Sequence, residues 1–441
     1  MPGASEGSPA AAAPAPCGGR VESLDVARGL ALLGILLVNV EYFFRPLGAV
    51  IAPAAPEERG VSLLLWWLVE TLCEGKLYPL FSLLFGVGLT LQRRRLEVAG
   101  VAFAPFAVRR LGFLAVLGLI HGVLLWYGDI LFAYGVVGLA LVAFGGASAR
   151  ALLTGGGVVL ALAVLVGSFL GALEASTPNP SSSEMPAIDD APAEVLLQQL
   201  RSSAPGGPAD PYWQAAETVA YRQGPWLQAE VFRVASYALL ILALAAGGGL
   251  EILAMFLLGA GLAKALALDR GGDGAEWLPR LAVAGLAAGL PLALLATWLG
   301  GYGSGAGALA VAAAARAASG AALAIGYLGC AHLLVVVAHG AVPIRGPLRL
   351  LGAAGRTALT HYLMQTVIAT AIAYHWGLAR FGTLGRPARV ALALAVFAGL
   401  SLAGSLWLSR RRFGPLEQAW RRFSYGRPRD ESSREGPTSA G

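Results

Sequence analysis

The feature that most constrains this chain is a series of long, uninterrupted apolar runs, among them residues 30–40, 111–126, 151–173 and 317–338. A transmembrane helix needs roughly 20 mostly apolar residues, whereas a membrane β-strand needs alternation. Charged residues make up 13% of the chain and hydrophobic residues 56%, while a soluble domain carries about 25% charged residues. The sequence therefore excludes a soluble enzyme and predicts an all-α, polytopic bundle of transmembrane helices.

The length of the apolar segments predicts about ten spans. They lie at approximately 24–44, 61–92, 111–127, 130–146, 151–173, 233–266, 280–299, 317–340, 357–377 and 388–409. Two of these segments are too long for one straight crossing. We expect a break at 74–79 in the first and at 247–249 in the second, where charged residues, proline or glycine interrupt the apolar run.

Arginine-rich loops set the expected orientation of these spans. Residues 93–110 carry five arginines, residues 341–356 carry three, and residues 410–412 are three more. Because Lys and Arg favour cytoplasmic loops, we expect both termini in the cytoplasm and a multi-pass protein of the cell inner (plasma) membrane. These flanks account for the net charge of +6, so membrane lipids are the expected partners and nucleic acid is not.

The composition along the chain predicts five segments. They are a disordered tail at 1–19, an N-terminal membrane half at 20–173, an extracytoplasmic loop at 174–232, a C-terminal membrane half at 233–425 and a second disordered tail at 426–441. The tails are rich in small and polar residues and poor in apolar ones. The loop carries eight acidic residues against two arginines, which fits an exterior position.

Ionisable side chains at or within spans are costly and therefore mark candidate sites. Arg20 precedes the first span, and Asp25 and Arg28 lie at its start, where they share one helix face. Two interpretations stay open: an ion pair that anchors the helix start, or an arginine that binds the phosphate or carboxylate of a ligand. Asn39, near the far end of the span, bonds a neighbouring helix or faces a ligand. Lys76 lies beside the predicted helix break and is not explained by packing.

A second group of candidates lies at a predicted turn between two spans. His121 ends one span, Trp126 follows it, and Asp129 begins the next span after a glycine turn. One interpretation is a structural histidine and a helix N-cap. The other is a base with an orienting carboxylate, because His is the side chain best suited to proton transfer near neutral pH.

A third group begins the ninth span. Arg356 stands at its inner end, and His361 and Gln365 are four residues apart on one helix face. The spacing of His, Cys and carboxylate residues matches none of the common metal motifs, so we expect no metal site.

These motifs resemble those of the YeiB-like family of bacterial integral membrane proteins. The likeness covers about residues 20–425 in order, and its second half looks like the family's C-terminal domain of unknown function. It rests on Arg20, Ser23-Leu-Asp25, Arg28-Gly29, Asn39, Lys76, Pro79-Leu-Phe81-Ser82, His121, Trp126-Tyr127-Gly128-Asp129, Gly355-Arg356, Thr360-His361-Tyr362, Gln365 and Phe413-Gly414-Pro415.

The pattern from Asp25 and Arg28 to Asn39 also resembles that of the transmembrane acyltransferases, including heparan-α-glucosaminide N-acetyltransferases. That resemblance implies transfer of an acyl group from cytoplasmic acyl-CoA to an acceptor across the membrane, with a histidine soon after the asparagine as base. This chain has no histidine close after Asn39, so His121 is the candidate substitute, with Asp129 beside it.

Three hypotheses about function follow. The first is an acyltransferase-like protein in which Arg28 and Arg356 meet the phosphates of acyl-CoA, while Asn39, His121 and Asp129 face an extracytoplasmic or lipid-linked acceptor. The second is a transporter or exporter of a small molecule, with Lys76 and the His121–Asp129 pair as substrate or proton site. The third is a membrane protein without turnover.

Overall fold

The computed structural model describes residues 22–51, 59–176, 208, 210–266, 276–340 and 342–425, and over these residues the chain is helical with short turns. The two predicted tails, and Arg20 with them, lie outside the described residues. The helices are α1 (Glu22–Phe44), α2 (Leu47–Ile51), α3 (Val61–Leu72), α4 (Leu77–Val98), α5 (Phe103–Leu124), α6 (Leu131–Ala143), α7 (Ala149–Ser176), α8 (Pro211–Gln223), α9 (Trp226–Ala243), α10 (Gly249–Ala265), α11 (Trp277–Tyr302), α12 (Gly305–Gly340), α13 (Val342–Arg356), α14 (Ala358–Ala373), α15 (Arg386–Arg410) and α16 (Pro415–Tyr425).

The predicted polytopic bundle is confirmed. Within the described residues, eight helical segments are long and apolar enough to cross a membrane, and α3 with α4 and α9 with α10 each count as one of them. The shorter apolar helices α6 and α14, of 13 and 16 residues, complete the ten predicted spans. The orientation of the bundle in the membrane stays a prediction.

The first predicted break is a real interruption of the helix. α3 ends at Leu72 and α4 begins at Leu77, and between them Gly75 has a φ of 70°, in the left-handed region that favours glycine. The buried Lys76 ammonium donates a hydrogen bond of 2.9 Å to the Glu70 carbonyl. Lys76 thus satisfies one of the carbonyls that the end of α3 leaves without a helical partner.

The second predicted break is also confirmed. A five-residue π-type turn, Leu244–Gly248, joins α9 to α10, and the backbone of Gly247 leaves helical geometry with a φ of 173°. Because backbone inside a membrane must keep its hydrogen bonds, such a kink lies where neighbouring helices pack around it. Here α7 packs against both the turn and α10.

The region expected to be a loop is helical over its described second part. Pro211 begins α8, and the Asp210 carboxylate caps it by accepting the Tyr212 N–H at 2.8 Å. Glu217 of α8 is fully buried and its carboxylate accepts the Leu47 N–H at 3.2 Å. Burial raises the pKa of Glu217 to about 8, against the lowering effect of that hydrogen bond, so this acid is mostly neutral at pH 7. Because the segment is acidic, its sequence did not indicate a buried helix.

Contacts between turns define two ends of the bundle. At the end that we call the basic end, Lys264 of α10 donates to the carbonyls of Gly145 and Ala147, and the arginine-rich loops lie there too. At the opposite end, the His375 N–H donates to the Tyr221 carbonyl at 2.7 Å. The turn between α5 and α6, the helix α8 and the turn after α14 meet at this opposite end.

Helix α1 crosses α13 at very close range. A Cβ on Gly29 would overlap the Leu351 carbonyl oxygen, and a Cβ on Gly355 would overlap the Asp25 carbonyl oxygen. Two glycines of the quoted motifs therefore let the two backbones touch, as small residues do in membrane helix pairs. The contact brings the basic ends of α1 and α13 side by side.

The orientation can be tested with single cysteines at two exposed positions. Val98, at the end of α4, is 91% exposed and lies at the basic end, whereas Leu227, at the start of α9, is 72% exposed and lies at the opposite end. In a background without Cys17, Cys73 and Cys330, an impermeant maleimide added to intact cells should label L227C, and should label V98C only after permeabilisation. Labelling of V98C in intact cells would overturn the predicted orientation.

Candidate functional site

A large cavity opens among the helices at the basic end. Its volume is about 1110 Å³, and its wall combines residues of α1, α4, α5, α6, α13, α14 and α16. A space of this size exceeds the usual range of small-molecule pockets and would hold a long, flexible ligand. It is therefore our candidate functional site within the part of the chain that the structure describes.

Arginines crowd one part of this wall. Asp25 and Glu417 are the acidic residues in the same wall, and Asp25 pairs with Arg28 at 3.1 Å. An excess of positive charge in a low-dielectric cleft concentrates anions there. The six arginines in the wall are Arg28, Arg95, Arg110, Arg356, Arg412 and Arg421.

The rest of the wall is mostly apolar and extends toward the middle of the bundle. Leucine, isoleucine and phenylalanine side chains of α1, α4 and α5 form its sides, and Tyr134 and Tyr362 contribute phenol groups. The Tyr134 hydroxyl lies 2.7 Å from the Ser82 hydroxyl, and the Tyr362 hydroxyl donates to the Gly128 carbonyl at 3.2 Å. The cavity is therefore amphipathic, with a cationic part and an apolar part.

Helix α16 forms one side of the cationic part. The Trp420 indole N–H donates to the Arg110 carbonyl at 2.8 Å, and the Arg110 guanidinium lies 3.5 Å from the centre of the Trp420 ring. The Glu417 carboxylate accepts the N–H groups of Leu359 and Thr360 at 2.7 and 3.0 Å, at the first turn of α14. A carboxylate at a helix N-terminus is stabilising, so Glu417 fixes α16 to the bundle.

Three of the predicted ligand-binding residues lie in this cavity wall. Asp25 and Arg28 come from α1, and Arg356 comes from the end of α13. The crossing of α1 and α13 brings these residues to one wall although they are more than 300 positions apart in sequence. Lys76 and Trp126 are not part of the wall: Lys76 caps α3, and the Trp126 ring is buried against Phe43 with the ring centres 4.2 Å apart.

The predicted pair of His121 and Asp129 forms, near the opposite end. His121 Nδ1 lies 2.9 Å from Asp129 Oδ1, and His121 Nε2 lies 3.0 Å from the Thr366 hydroxyl. The second carboxylate oxygen of Asp129 accepts the Phe132 N–H at 2.8 Å, so Asp129 also caps the start of α6. Both ring nitrogens of His121 are thus occupied within the protein.

The His121 ring lies next to the cavity without lining it. It is 1% exposed, and its ring centre lies 5.3 Å from that of Tyr362, which does line the cavity. Asp129 is adjacent in sequence to Ile130, another wall residue. One layer of side chains therefore separates the His121–Asp129 pair from the space that a ligand would fill.

The remaining predicted residues lie elsewhere. Asn39 is half-buried on α1, one turn beyond the wall residue Ile35 on the same helix face. His361 and Gln365 share a buried face of α14, as predicted, where His361 Nε2 lies 3.3 Å from the Ser401 hydroxyl. None of these three is in the cavity wall. In the described part of the chain, no group of three or more His, Cys, Asp or Glu could hold a metal ion.

Sequence reasoning missed four of the six arginines of the cationic wall and a second, partly buried cluster of ionisable groups. Arg95, Arg110, Arg412 and Arg421 belong to segments whose charge is equally typical of membrane anchors, so no sequence signal points them into a cavity. Around the helix break, a cluster of ionisable groups joins α3, α4, α10 and α12. In it Glu70 pairs with Arg316 at 2.7 Å, and the Tyr78 hydroxyl donates to Glu251 at 2.5 Å.

Comparisons with known proteins agree with the resemblance drawn from the motifs. The family described as "Protein of unknown function (DUF418)" matches residues 262–427, which include Arg356, Trp420 and the other wall residues of α13 to α16. The uncharacterized protein YxaH of Bacillus subtilis (strain 168) is 28% identical over 418 residues, covering 92% of this chain and 94% of the relative.

Two further relatives match. The uncharacterized protein YeiB of Escherichia coli (strain K12) is 29% identical over 418 residues, covering 91% of this chain and 95% of the relative. An uncharacterized 39.9 kDa protein in the amylase 3′ region of Bacillus acidopullulyticus is 35% identical over 125 residues, which is 28% of this chain and 34% of that protein. These matches support the resemblance to the YeiB-like family, with the match to DUF418 in the C-terminal part of the chain.

Proposed function

We propose that this protein binds an acyl-CoA in the amphipathic cavity at the basic end and transfers its acyl group to an acceptor reached from the opposite side. The observation that carries the proposal is the cavity itself, in which six arginines lie beside an apolar space. An acyl-CoA has the matching construction, because its phosphates are anionic and its acyl chain is apolar.

The arginines supply the binding energy for the phosphates in this proposal. Arg28 and Arg356 come from two helices in backbone contact, and Arg110 is held by its contacts with Trp420. A guanidinium matches phosphate geometry through two parallel N–H bonds, which a lysine ammonium does not. The apolar wall then binds the acyl chain, and each methylene removed from water makes the free energy of binding more favourable.

The transfer step moves one acyl group and one proton. The acceptor oxygen or nitrogen attacks the thioester carbonyl, the carbon–sulfur bond breaks, and coenzyme A leaves as a thiolate that takes up a proton. His121 is the candidate base for the acceptor proton, with Asp129 orienting its ring. In this proposal Tyr362 turns aside to let the acceptor reach His121, and Asn39 lies along the same side of α1 as the ligand.

A second candidate function is transport, and the ionisable cluster at the helix break favours it. Acids and bases beside an interrupted membrane helix are typical of substrate and proton sites in transporters. Glu70 with Arg316, Tyr78 with Glu251, and the buried Lys76 provide such a cluster. Binding of a ligand without turnover or transport corresponds to the third hypothesis, a non-enzymatic membrane protein.

Binding of acyl-CoA should depend on the arginines of the wall and not on arginines nearby. Replacing Arg356 by Gln removes charge-assisted hydrogen bonds worth roughly 1.5–3 kcal/mol, so the affinity of purified protein in nanodiscs for palmitoyl-CoA should fall by about tenfold or more. Arg349 is the matched control, because it lies on the same helix α13 but is exposed and outside the wall.

Isothermal titration calorimetry compares the affinities. Palmitoyl-CoA, coenzyme A and palmitate are each titrated into wild type, R356Q, R28Q and R349Q. Palmitoyl-CoA should bind best, because it uses both parts of the cavity, and R349Q should bind it as wild type does. Equal losses in R349Q and R356Q, or no saturable binding to wild type, would reject the cavity as an acyl-CoA site.

The role of His121 can be separated from its structural contacts. General base catalysis contributes about 100- to 10,000-fold in rate, so H121A and H121Q should both lose acyl transfer or acyl-CoA hydrolysis on that scale. Gln can form the hydrogen bonds to Asp129 and Thr366 but cannot take a proton. T366V is the matched control, because it removes one partner of the ring and leaves the base. Full turnover in H121Q, measured as release of free thiol, would make His121 a structural group only.

A further inference from the structure

The opposite end of the bundle contains a fully buried arginine that is only partly bonded. Arg233 of α9 is 0% exposed. Its Nη1 donates to the Leu124 carbonyl at 2.8 Å and to the Glu230 carboxylate at 2.5 Å. These two bonds hold the end of α5 and use one corner of the guanidinium.

The other edge of the guanidinium has no hydrogen-bond partner. Arg233 Nε and Nη2 are both buried and unpaired among the residues that the structure describes. The N–H groups of these two atoms point the same way from the planar group, and this edge is the one that binds a carboxylate or phosphate through two parallel bonds. Burying such donors without an acceptor is destabilising, so this edge favours binding of an acceptor oxygen.

Further unpaired donors lie near Arg233. The hydroxyls of Tyr221 and Tyr374 are buried without a partner in the described part of the chain, and their rings stack with centres 4.4 Å apart. The Arg233 guanidinium carbon lies 5.9 Å from the centre of the Tyr374 ring and 4.8 Å from that of Trp226. Trp226 is 43% exposed, so this side of the arginine lies near the surface of the bundle.

We propose that Arg233, Tyr221 and Tyr374 form an oxyanion-binding site at the end of the bundle opposite the arginine-lined cavity, for the carboxylate or phosphate group of a small molecule. The donors match this chemistry, since a guanidinium edge and phenol hydroxyls all present hydrogen atoms to acceptor oxygens. The site is built from α8, α9 and the residue after α14, and shares no residue with the cavity wall. It therefore stands independently of the proposed acyl transfer.

Glu230 provides an internal check on the proposal. Its carboxylate binds Nη1 and leaves the Nε–Nη2 edge open, so a ligand anion would lie on the other side of the same guanidinium. Two anions on one arginine repel each other. Removing the charge of Glu230 should therefore strengthen binding of an anion, whereas it would only weaken a purely structural ion pair.

The test uses full-length protein in nanodiscs titrated with inorganic phosphate and, separately, with acetate. The difference in tryptophan fluorescence between wild type and W226F reports on Trp226 and so on the space beside Arg233. We expect saturable binding of at least one of the two probes, and the better probe distinguishes a phosphate from a carboxylate ligand. Affinity should fall by about tenfold or more in R233Q and by a few-fold in Y221F, and should rise in E230Q.

Two variants control for folding and for charge. R233K keeps the charge but lacks the two-pronged edge, so it should lose affinity nearly as R233Q does while retaining the fold. R222Q removes a neighbouring, half-buried arginine of α8 and should bind as wild type does. The absence of any saturable response in wild type, or unchanged affinity in both R233Q and R233K, would overturn the proposal.

Discussion

The backbone contact between α1 and α13 is the constraint on which the candidate site depends. Gly29 lies against the Leu351 carbonyl and Gly355 against the Asp25 carbonyl, with no room for a Cβ at either glycine. Small residues at such a crossing let two helices pack backbone against backbone. The contact also fixes Arg28 and Arg356, each next to one of these glycines in sequence, in the wall of one cavity.

The two ends of the bundle differ in how their charged side chains are paired. At the basic end, arginines surround an open space, and the ion pair of Arg28 with Asp25 and the capping by Glu417 leave an excess of positive charge. At the opposite end, charges converge in closed contacts. The Glu41 carboxylate there forms ion pairs with Arg389 at 2.9 Å and with Arg386 at 3.1 Å, and all three side chains are buried. Both arginines lie in the first turn of α15, at the end of the bundle where the orientation rule expects few arginines, and Glu41 compensates part of their charge.

The sequence predicted the elements better than the site. Lengths of apolar runs located the spans, and glycines with charged residues located both helix breaks, because each of these features is local. The pairing of His121 with Asp129 followed from a short turn between antiparallel helices. By contrast, the layer formed by Tyr362 between that pair and the cavity depends on α14, more than 200 residues away, and no local pattern reports it.

The arginines illustrate the same limit. Arg95, Arg110, Arg412 and Arg421 have the sequence context of anchors, and only the folding of α16 onto α5 turns them toward a common space. Buried helix α8 was hidden in an acidic segment, because burial of Glu217 depends on the Leu47 N–H that it accepts. Long-range packing decides the chemistry of both ends.

The most direct test of the central claim, that the cavity takes an amphipathic anion, is photo-crosslinking with an acyl-CoA that carries a diazirine at the end of its acyl chain, followed by peptide mass spectrometry. Crosslinks should fall on apolar wall residues such as Phe81, Phe85 and Ile130 and disappear with excess unlabelled palmitoyl-CoA. Crosslinks confined to exposed outer positions such as Val158, Leu165 and Leu406, unchanged by the competitor, would contradict it.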